Sequence, residues 1–512
     1  FLVCAGATAH AAQKWIKLSS EHFDLFSCTS EGDSRQLLVE LEQFREFFFT
    51  VIPQGRVYDA KPAIFIFDTQ KQYSPYQILT PDGKERPNIG VYMGGPLQAR
   101  IMLLNHNIEQ GLSTIFHEYV HSLAHARMGT KIPAWFNEGL AEVYETFSVS
   151  RDTVIFGKAH EGHVRALRTT PMIPLGTLFS VDHKSPYYNE REKMNIFYSQ
   201  SWALIHYAML GTNNEPYTMK NILRFVDVIS RPNSVYTEAF AKIFGTDYKQ
   251  LEKALGAYLR AGKYTQMTTK IPMKPIAGKI TVTPMTDGER DIELAGLLWR
   301  SRKALAAEVA LFQLMEQYPE NPRPYEIFAE IKMAEREKSS VTDYLRKAVD
   351  KKSTNPMVYT WLLRNYYSGS NQPPGYMMPD DMAAEYTALV DRALELAPDC
   401  MEAYEMLAII ESQRASIRVK KMNAVLEALI SMRERGRTCL ALATVYWRLK
   451  RYDDAESALK VLSADPKSTY DIKRRARDLE RRIAKETGRE VPPPLPRPPK
   501  QRQPFTLPFG EK

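Results

Sequence analysis

The chain has few cysteines, no long apolar run and no histidine in its second half. Four cysteines in 512 residues are too few for a disulfide-framework fold or for a zinc module built on cysteine. No stretch approaches the ~18 consecutive apolar residues that a membrane-spanning helix needs, so we predict no membrane span. All ten histidines lie at or before His206. Because histidine is the commonest metal ligand and a common acid–base group, chemistry is expected in the first half.

The charge balance gives no sign of a nucleic-acid partner. The net charge of +8 is spread over 68 basic and 60 acidic residues, and no base-stacking or groove-reading motif accompanies it. An apolar fraction of 44% and a charged fraction of 25% are typical of soluble globular proteins. The length favours two or three domains.

Residues 1–14 are short, apolar and rich in small side chains, and Ala9-His10-Ala11 fits a small-x-small cleavage site. We predict that they are the remnant of a signal peptide, so that the protein is exported to the periplasm or the extracellular space of a bacterium. An ordinary N-terminal strand or a disordered end is the alternative. Cys4 falls in this segment, and whether Cys400 and Cys439 pair is left open.

The second half contains a repeat. Asn321-Pro322-Arg323-Pro324-Tyr325 recurs 34 residues later as Asn355-Pro356-Met357-Val358-Tyr359, which is the period of the tetratricopeptide repeat (TPR), a helix–turn–helix unit. Small and apolar residues recur at the matching helix positions, namely Ala307, Leu311, Leu314, Leu345, Ala348, Ala393, Ala443 and Ala455. We predict TPR-like repeats over 288–487, lengthened by an insertion at 368–379 and closed by a capping helix from Tyr470 to Lys485. A non-repetitive helical bundle is the alternative.

The remaining boundaries follow from composition. Residues 488–512 hold a proline-rich stretch that cannot form helix or sheet ladders, which predicts a disordered tail. Residues 269–287 contain Pro, Thr and Met and are predicted to be a linker, with a hairpin as the alternative because Lys279-Ile280-Thr281-Val282-Thr283 alternates as a strand does. The first domain then covers 15–268, with strands expected at Trp15–Phe26, Pro62–Phe67 and Arg100–Leu104.

The candidate chemistry lies on a predicted helix from Ser113 to Ala126. His117 and His121 are one turn apart on it, so both imidazoles can reach one metal ion. Glu118 is rotated by about 100° from His117. It is therefore placed to take a proton from a water molecule without being a ligand itself.

A catalytic zinc ion usually has three protein ligands and an open fourth position. Pro133 starts a second predicted helix that carries Asn137-Glu138-Gly139 and then Glu142, and either glutamate can supply a third ligand. With these motifs the sequence resembles the gluzincin metallopeptidases, whose His-Glu-x-x-His motif is followed by an Asn-Glu-Gly/Ala-type segment on the next helix. The resemblance implies an α+β gluzincin-like domain before an all-α TPR solenoid. It also implies that Glu138 is the third ligand, with Glu142 as the fallback.

Other histidines are assigned lesser roles. The longer metzincin motif is absent, because Ala124 and Arg127 stand where that family has glycine and a third histidine. His125 lies one turn beyond His121 and is predicted to support the site rather than to bind the metal. His160 and His163 have the wrong spacing for the motif and are predicted to lie in a loop.

The resemblance also implies an oxyanion donor and a substrate strand. Aminopeptidase-like gluzincins use a tyrosine on a later helix, and Tyr198 matches it, although a core aromatic residue is the alternative. His206, two turns further on, is expected to pack. Arg100–Leu104 corresponds to the edge strand that pairs with extended substrate backbone. Met93-Gly94-Gly95-Pro96 stands where aminopeptidases hold a substrate's free amine, which disfavours aminopeptidase activity.

The resulting hypothesis is an exported zinc metallopeptidase with one Zn²⁺ per chain. His117, His121 and Glu138 would hold the metal, and Glu118 and Tyr198 would be catalytic. The substrate would be a peptide or protein, and the repeats would recruit a protein partner or substrate. The alternative is a catalytically inactive peptidase-fold scaffold whose repeats bind other proteins.

Overall fold

The computed structural model describes residues 14–52, 61–78, 90–95, 97–105, 108–128, 132–150, 153–182, 184–230, 234–270, 277–367, 375–431, 436–464 and 468–496. The predicted signal-peptide remnant, apart from Lys14, lies outside the described residues, as does the predicted tail beyond 496. The chain divides into two compact units. The first comprises the residues up to Tyr366 together with Arg392–Cys400, and the second comprises Tyr367–Asp391 and the residues from Met401 onward.

A six-stranded mixed sheet forms the centre of the first unit. Its strands are β1 (Ile16–Ser19), β2 (Asp24–Ser27), β3 (Ala63–Phe67), β4 (Gly90–Met93), β5 (Arg100–Leu104) and β9 (Thr281–Pro284), in the order β4-β5-β3-β2-β1-β9. β2, β3 and β5 run parallel to one another, whereas β1, β4 and β9 are antiparallel to their neighbours. The predicted strand Trp15–Phe26 is thus a hairpin, with a turn in which the Ser20 amide donates to the Phe23 carbonyl at 3.0 Å.

Helices make up most of the rest of the first half. They are α1 (Glu31–Val51), α2 (Gln70–Tyr73), α3 (Ile108–Met128), α4 (Ala134–Tyr144), α5 (Glu161–Thr169), α6 (Leu175–Ser180), α7 (Pro186–Asn189), α8 (Arg191–Leu210), α9 (Met219–Ile229), α10 (Tyr236–Phe244) and α11 (Tyr248–Ala261). A small antiparallel sheet joins β6 (Ser148–Ser150), β7 (Thr153–Phe156) and β8 (Met267–Lys270).

Most helices of the second half come in consecutive pairs. They are α12 (Asp287–Arg300) with α13 (Ala304–Gln317), α14 (Arg323–Glu335) with α15 (Lys338–Asp350), α18 (Met401–Gln413) with α19 (Val419–Ser431), and α20 (Gly436–Arg448) with α21 (Tyr452–Ala464). Between the second and third of these pairs, the chain forms α16 (Pro356–Tyr367) and α17 (Asp380–Leu396). The predicted capping helix is α22 (Tyr470–Thr487). Ala307, Leu311, Leu345 and Ala348 are fully buried, as close helix pairing requires. The chain therefore contains TPR-like helical pairs.

Both faces of the main sheet are buried, which explains how the first helical pairs are attached. Ile64 of β3 belongs to one apolar cluster together with α1 and α3, whereas Phe65 belongs to a second cluster. This follows because successive side chains of a strand point to opposite faces. Leu297 of α12 lies in the second cluster, so α12 covers the face opposite α1 and α3.

The segment 269–287, predicted as a linker, contributes to both sheets. β8 ends at Lys270, and β9 pairs with β1 with Thr281 opposite Ser19. α12 follows and packs on the sheet. A sheet face with apolar side chains needs a cover, and the chain supplies it from the start of the repeat region. The first compact unit therefore extends beyond 268 and includes α12 to α16.

The expectation that Arg100–Leu104 is an edge strand is wrong. β5 pairs with β3 on one side and with β4 on the other, with Met93 opposite Arg100. The edge strand is β4. It packs closely on α3, since a Cβ atom at Gly90 would lie 2.9 Å from the Gly111 carbonyl oxygen. The four residues of β4 are too short a pattern to be recognised as a strand.

Two further expectations concern cysteines and membranes. Cys28, Cys400 and Cys439 are buried thiols, and no disulfide joins any of them. Within the described ranges, no helix is both long and apolar enough to cross a bilayer.

Candidate metal centre

Helix α3 presents two histidines beside its apolar surface. Ile115, Phe116 and Val120 are buried in the core, and the Phe116 ring stacks on Phe44 with centroids 4.3 Å apart. This packing fixes the rotation of the helix about its axis. His117 and His121 then lie together, with ring centroids 4.9 Å apart and ring planes at 89°.

Helix α4 brings a carboxylate to these histidines. All of its side chains are buried, and it packs closely on α8 at Gly139. A Cβ atom at Gly139 would clash with the Ser201 carbonyl oxygen, so only glycine permits this approach. One residue earlier, Glu138 is 2% exposed. Its Oε2 lies 3.6 Å from His117 Nε2 and 3.5 Å from His121 Nε2.

These three groups fit a zinc ion. Tetrahedral ligands at roughly 2.0–2.1 Å from zinc are about 3.3–3.4 Å apart, close to the two distances from Glu138. Glu138 Oε2 is buried and has no hydrogen-bond partner among the described residues, which is costly unless a cation or proton meets it. His117, His121 and Glu138 together offer ligand atoms within 4.8 Å of one another.

The electrostatics of the cluster favour a cation. Burial opposes the charged form of His117, but the nearby carboxylates of Glu138, Glu145 and Glu142 raise its pKa to about 10. Burial alone would raise the pKa of Glu138. The nearby imidazoles of His117 and His121 instead hold it well below its usual range. Glu138 is thus ionised, and a proton on His117 supplies the positive charge that a metal ion would bring to this cluster.

The second nitrogen of His117 faces other carboxylates. His117 Nδ1 lies 3.8 Å from both Glu142 Oε1 and Glu145 Oε2, and Ser113 donates a 2.8 Å hydrogen bond to Glu145. His117, Glu142 and Glu145 form a second group of potential ligands within 4.8 Å. Carboxylates at this position commonly orient a metal-binding imidazole. Glu142 therefore lies beside Nδ1 of His117, whereas Glu138 lies beside Nε2.

His163 was expected in a loop, and this expectation is wrong, because it lies in α5. His163 Nε2 is 2.7 Å from Glu142 Oε2, and its Nδ1 is 3.0 Å from Ser199 Oγ. A hydrogen-bonded chain thus runs from α8 through His163 to the carboxylate beside His117. His160 is the N-cap residue of the same helix. The side chain of His125 lies outside the described residues.

A tyrosine missed by the sequence analysis holds the second oxygen of Glu138. Tyr188, on the short helix α7, donates its hydroxyl hydrogen bond to Glu138 Oε1 at 2.8 Å. Burial and then the charge of Glu138 raise the pKa of Tyr188, with a smaller contribution from Glu118. No motif marks Tyr188, since its role depends on how α7 folds over α4.

The predicted catalytic residues lie around this cluster. Tyr198 is half-buried on α8, and its ring centroid is 6.3 Å from that of Tyr188. Burial and then the charges of Glu138 and Tyr188 raise the pKa of Tyr198, so it is a neutral hydroxyl donor. Glu118 is half-buried beside His117. His206 packs as expected, with Nε2 2.8 Å from the Gly157 carbonyl oxygen.

Comparison with known proteins gives limited information. A family model described as "Protein of unknown function (DUF1570)" matches residues 111–230, a segment that contains all of the predicted ligands and catalytic residues. No curated protein shows significant similarity to the chain.

Two solved structures of other proteins show a partial likeness. One is from a study of PilF of Pseudomonas aeruginosa, with 17% identity over 39% of this chain and 84% of that chain, and a TM-score of 0.26. The other is a thermophilic TPR protein of Thermus thermophilus, with 16% identity over 38% of this chain and 98% of that chain, and a TM-score of 0.24. TM-scores this low do not establish a shared fold.

Proposed function

We propose that this protein is a zinc-dependent peptidase whose metal is held by His117, His121 and Glu138. The proposal rests on one observation, the position of Glu138 Oε2 between the Nε2 atoms of both histidines, at 3.6 and 3.5 Å. Two imidazoles and one carboxylate leave a fourth position open, as in catalytic zinc sites. When bound, zinc would supply a Lewis acid that polarises the substrate carbonyl and activates a water molecule.

Glu118 is the general base of the proposed reaction. It accepts a proton from the water that attacks the peptide carbonyl and delivers that proton to the leaving amine as the C–N bond breaks. It is half-buried and adjoins His117 on α3. Its side chain is rotated by about 100° from the ligand, which keeps its carboxylate near the metal position without ligating it.

The two tyrosines have different proposed roles. Tyr188 donates to Glu138 Oε1, which leaves Oε2 for the metal and orients the ligand. The Tyr198 hydroxyl donates a hydrogen bond to the substrate carbonyl oxygen, which becomes negative during the attack. Its raised pKa keeps the proton on the hydroxyl at neutral pH, as a donor requires.

The helical pairs are proposed to recruit a protein partner or substrate. On α13, Leu305, Val309 and Phe312 are 76%, 50% and 50% exposed. Their spacing places them on one face of the helix, and a contiguous exposed apolar face is typical of an interaction surface. We also propose that the protein is exported from the cytoplasm, because residues 1–14 fit a signal-peptide remnant.

Elemental analysis of the purified full-length chain tests the metal site. We expect one zinc ion per chain in the wild type and in Glu118→Gln, and little zinc in His121→Ala and Glu138→Ala. Glu238→Gln, an exposed glutamate on α10, is the matched control and should retain zinc. Zinc absent from the wild type even after reconstitution would refute the proposed site.

A peptide-library cleavage assay on the same proteins tests the activity. Cleavage is expected from the wild type and from Glu238→Gln, but not from Glu118→Gln. If the zinc-loaded wild type cleaves nothing, the catalytically inactive scaffold becomes the better interpretation. If Glu118→Gln cleaves as fast as the wild type, the assigned base is wrong.

A further inference from the structure

A pocket lies among the helical pairs of the first unit, apart from the candidate metal centre. Its volume is about 370 Å³, within the range of small-molecule sites. The walls come from the ends of α12 and α14 and from α15 and α16, and they include Trp299, Arg300, Met333, Val341 and Trp361. The pocket thus has aromatic and apolar walls, and its charged lining residues are three cations and one carboxylate, namely Arg300, Arg336, Lys338 and Glu330.

The Glu330 carboxylate in this wall contacts two arginines. Glu330 accepts a hydrogen bond from Arg100 Nη1 at 2.7 Å and lies 3.4 Å from Arg300 Nη2. The side chains of Arg100, Glu330 and Arg300 are only 0%, 1% and 14% exposed. Two buried guanidinium groups therefore share one carboxylate. Buried charges are normally paired, and one carboxylate cannot neutralise two guanidinium groups.

The Glu330 carboxylate also accepts hydrogen bonds from the backbone. The backbone amides of Leu97 and Gln98 each donate to Glu330 Oε1 at 3.1 Å. The carboxylate consequently accepts hydrogen bonds at both oxygens and cannot neutralise a second arginine fully. Of the two arginines, Arg300 makes the longer contact with Glu330, at 3.4 Å against 2.7 Å for Arg100, and it is therefore the less completely neutralised.

Arg300 is held rigidly beside the pocket with an unused donor. Its guanidinium carbon lies 4.2 Å from the centroid of the Trp299 ring, and a Cβ atom at Gly95 would clash with Nη2. Its Nε is buried and has no hydrogen-bond partner among the described residues. A buried donor of this kind normally has a partner, so Arg300 keeps hydrogen-bonding capacity that its contact with Glu330 does not use.

We infer that this pocket binds a small molecule in which a flat apolar ring carries an anionic group. The ring would pack against Trp299, Trp361, Met333 and Val341, and the anion would meet Arg300. Arg336 and Lys338, also lining residues, are exposed and add positive charge at the mouth. This inference is independent of the proposed peptidase activity.

Fluorine NMR on the full-length protein tests the inference with two probes of equal size and opposite charge. Trifluoromethyl-benzoate should bind, whereas trifluoromethyl-benzylammonium should not. In the Arg336→Gln/Lys338→Gln variant, loss of two exposed charge contacts should weaken benzoate binding about fivefold.

The control variant is Lys347→Gln/Arg392→Gln, which removes the same charge from exposed residues that do not line the pocket, and it should bind as the wild type does. An unchanged melting temperature of each variant shows that the fold is retained. Equal binding of both probes, no binding of either, or the same affinity in the rim variant and the control would each overturn the inference.

Discussion

Glu330 holds the helical pairs of the first unit to the loop between β4 and β5. Its carboxylate accepts from Arg100 Nη1 and from the amides of Leu97 and Gln98. Burial raises the pKa of Glu330, but Arg100 and Arg300 outweigh this effect and hold the pKa below its usual value. Glu330 is therefore ionised and forms the buried partner of Arg100.

Glu330→Ala should strongly destabilise the first unit. The change leaves the guanidinium of Arg100 buried without its carboxylate and removes the acceptor of two backbone amides. Removing one partner of a buried ion pair typically costs about 3–5 kcal/mol, so we expect a loss of about 4 kcal/mol. Glu330→Gln keeps one neutral acceptor for the amides and should cost less than Glu330→Ala.

The matched control is Glu335→Ala on the same helix. Glu335 forms an ion pair with Lys332 at 2.7 Å, but its side chain is 40% exposed. Exposed pairs contribute about 1 kcal/mol or less. Urea unfolding followed by tryptophan fluorescence measures both losses, and hydrogen exchange of Leu97 and Gln98 reports the loop directly. If Glu330→Ala lowers the unfolding midpoint no more than Glu335→Ala does, the assigned role of this ion pair is incorrect.

Two further predictions concern the metal centre and the core. Tyr188→Phe removes the hydrogen-bond donor to Glu138 Oε1 and should weaken zinc binding about 10–100-fold. A competition assay with a chromogenic chelator measures this affinity, and Tyr187→Phe is the control. Equal zinc affinities of the two variants would contradict the role of Tyr188. Burial lowers the pKa of His206 from its usual 6.5. As the pH falls, His206 therefore becomes protonated in the unfolded chain before it does so in the folded one. The free energy of unfolding should consequently decrease below about pH 6.5. His206→Gln should reduce this decrease in urea unfolding at about pH 7 and about pH 5; an identical pH dependence in both proteins would show that His206 does not contribute.

Local patterns in the sequence determined the helices and the paired histidines. The 3.6-residue period places His117 and His121 on the same side of α3 whatever surrounds that helix. The 34-residue spacing likewise predicts the helical pairs, because each helix–turn–helix unit is encoded by its own small and apolar residues. The strand Pro62–Phe67 was recognisable as a continuous apolar run, which a strand buried on both faces requires.

Contacts between distant residues were decided only by the tertiary structure. The hydrogen bond from Tyr188 to Glu138 joins residues that are 50 positions apart in the sequence, and no short pattern encodes it. The packing of α12 on the sheet, which makes 269–287 part of the first unit, depends on an apolar sheet face formed by strands from far earlier in the chain. Periodicity reports which face of an element is apolar, but the partner that covers that face is fixed only when the whole core assembles.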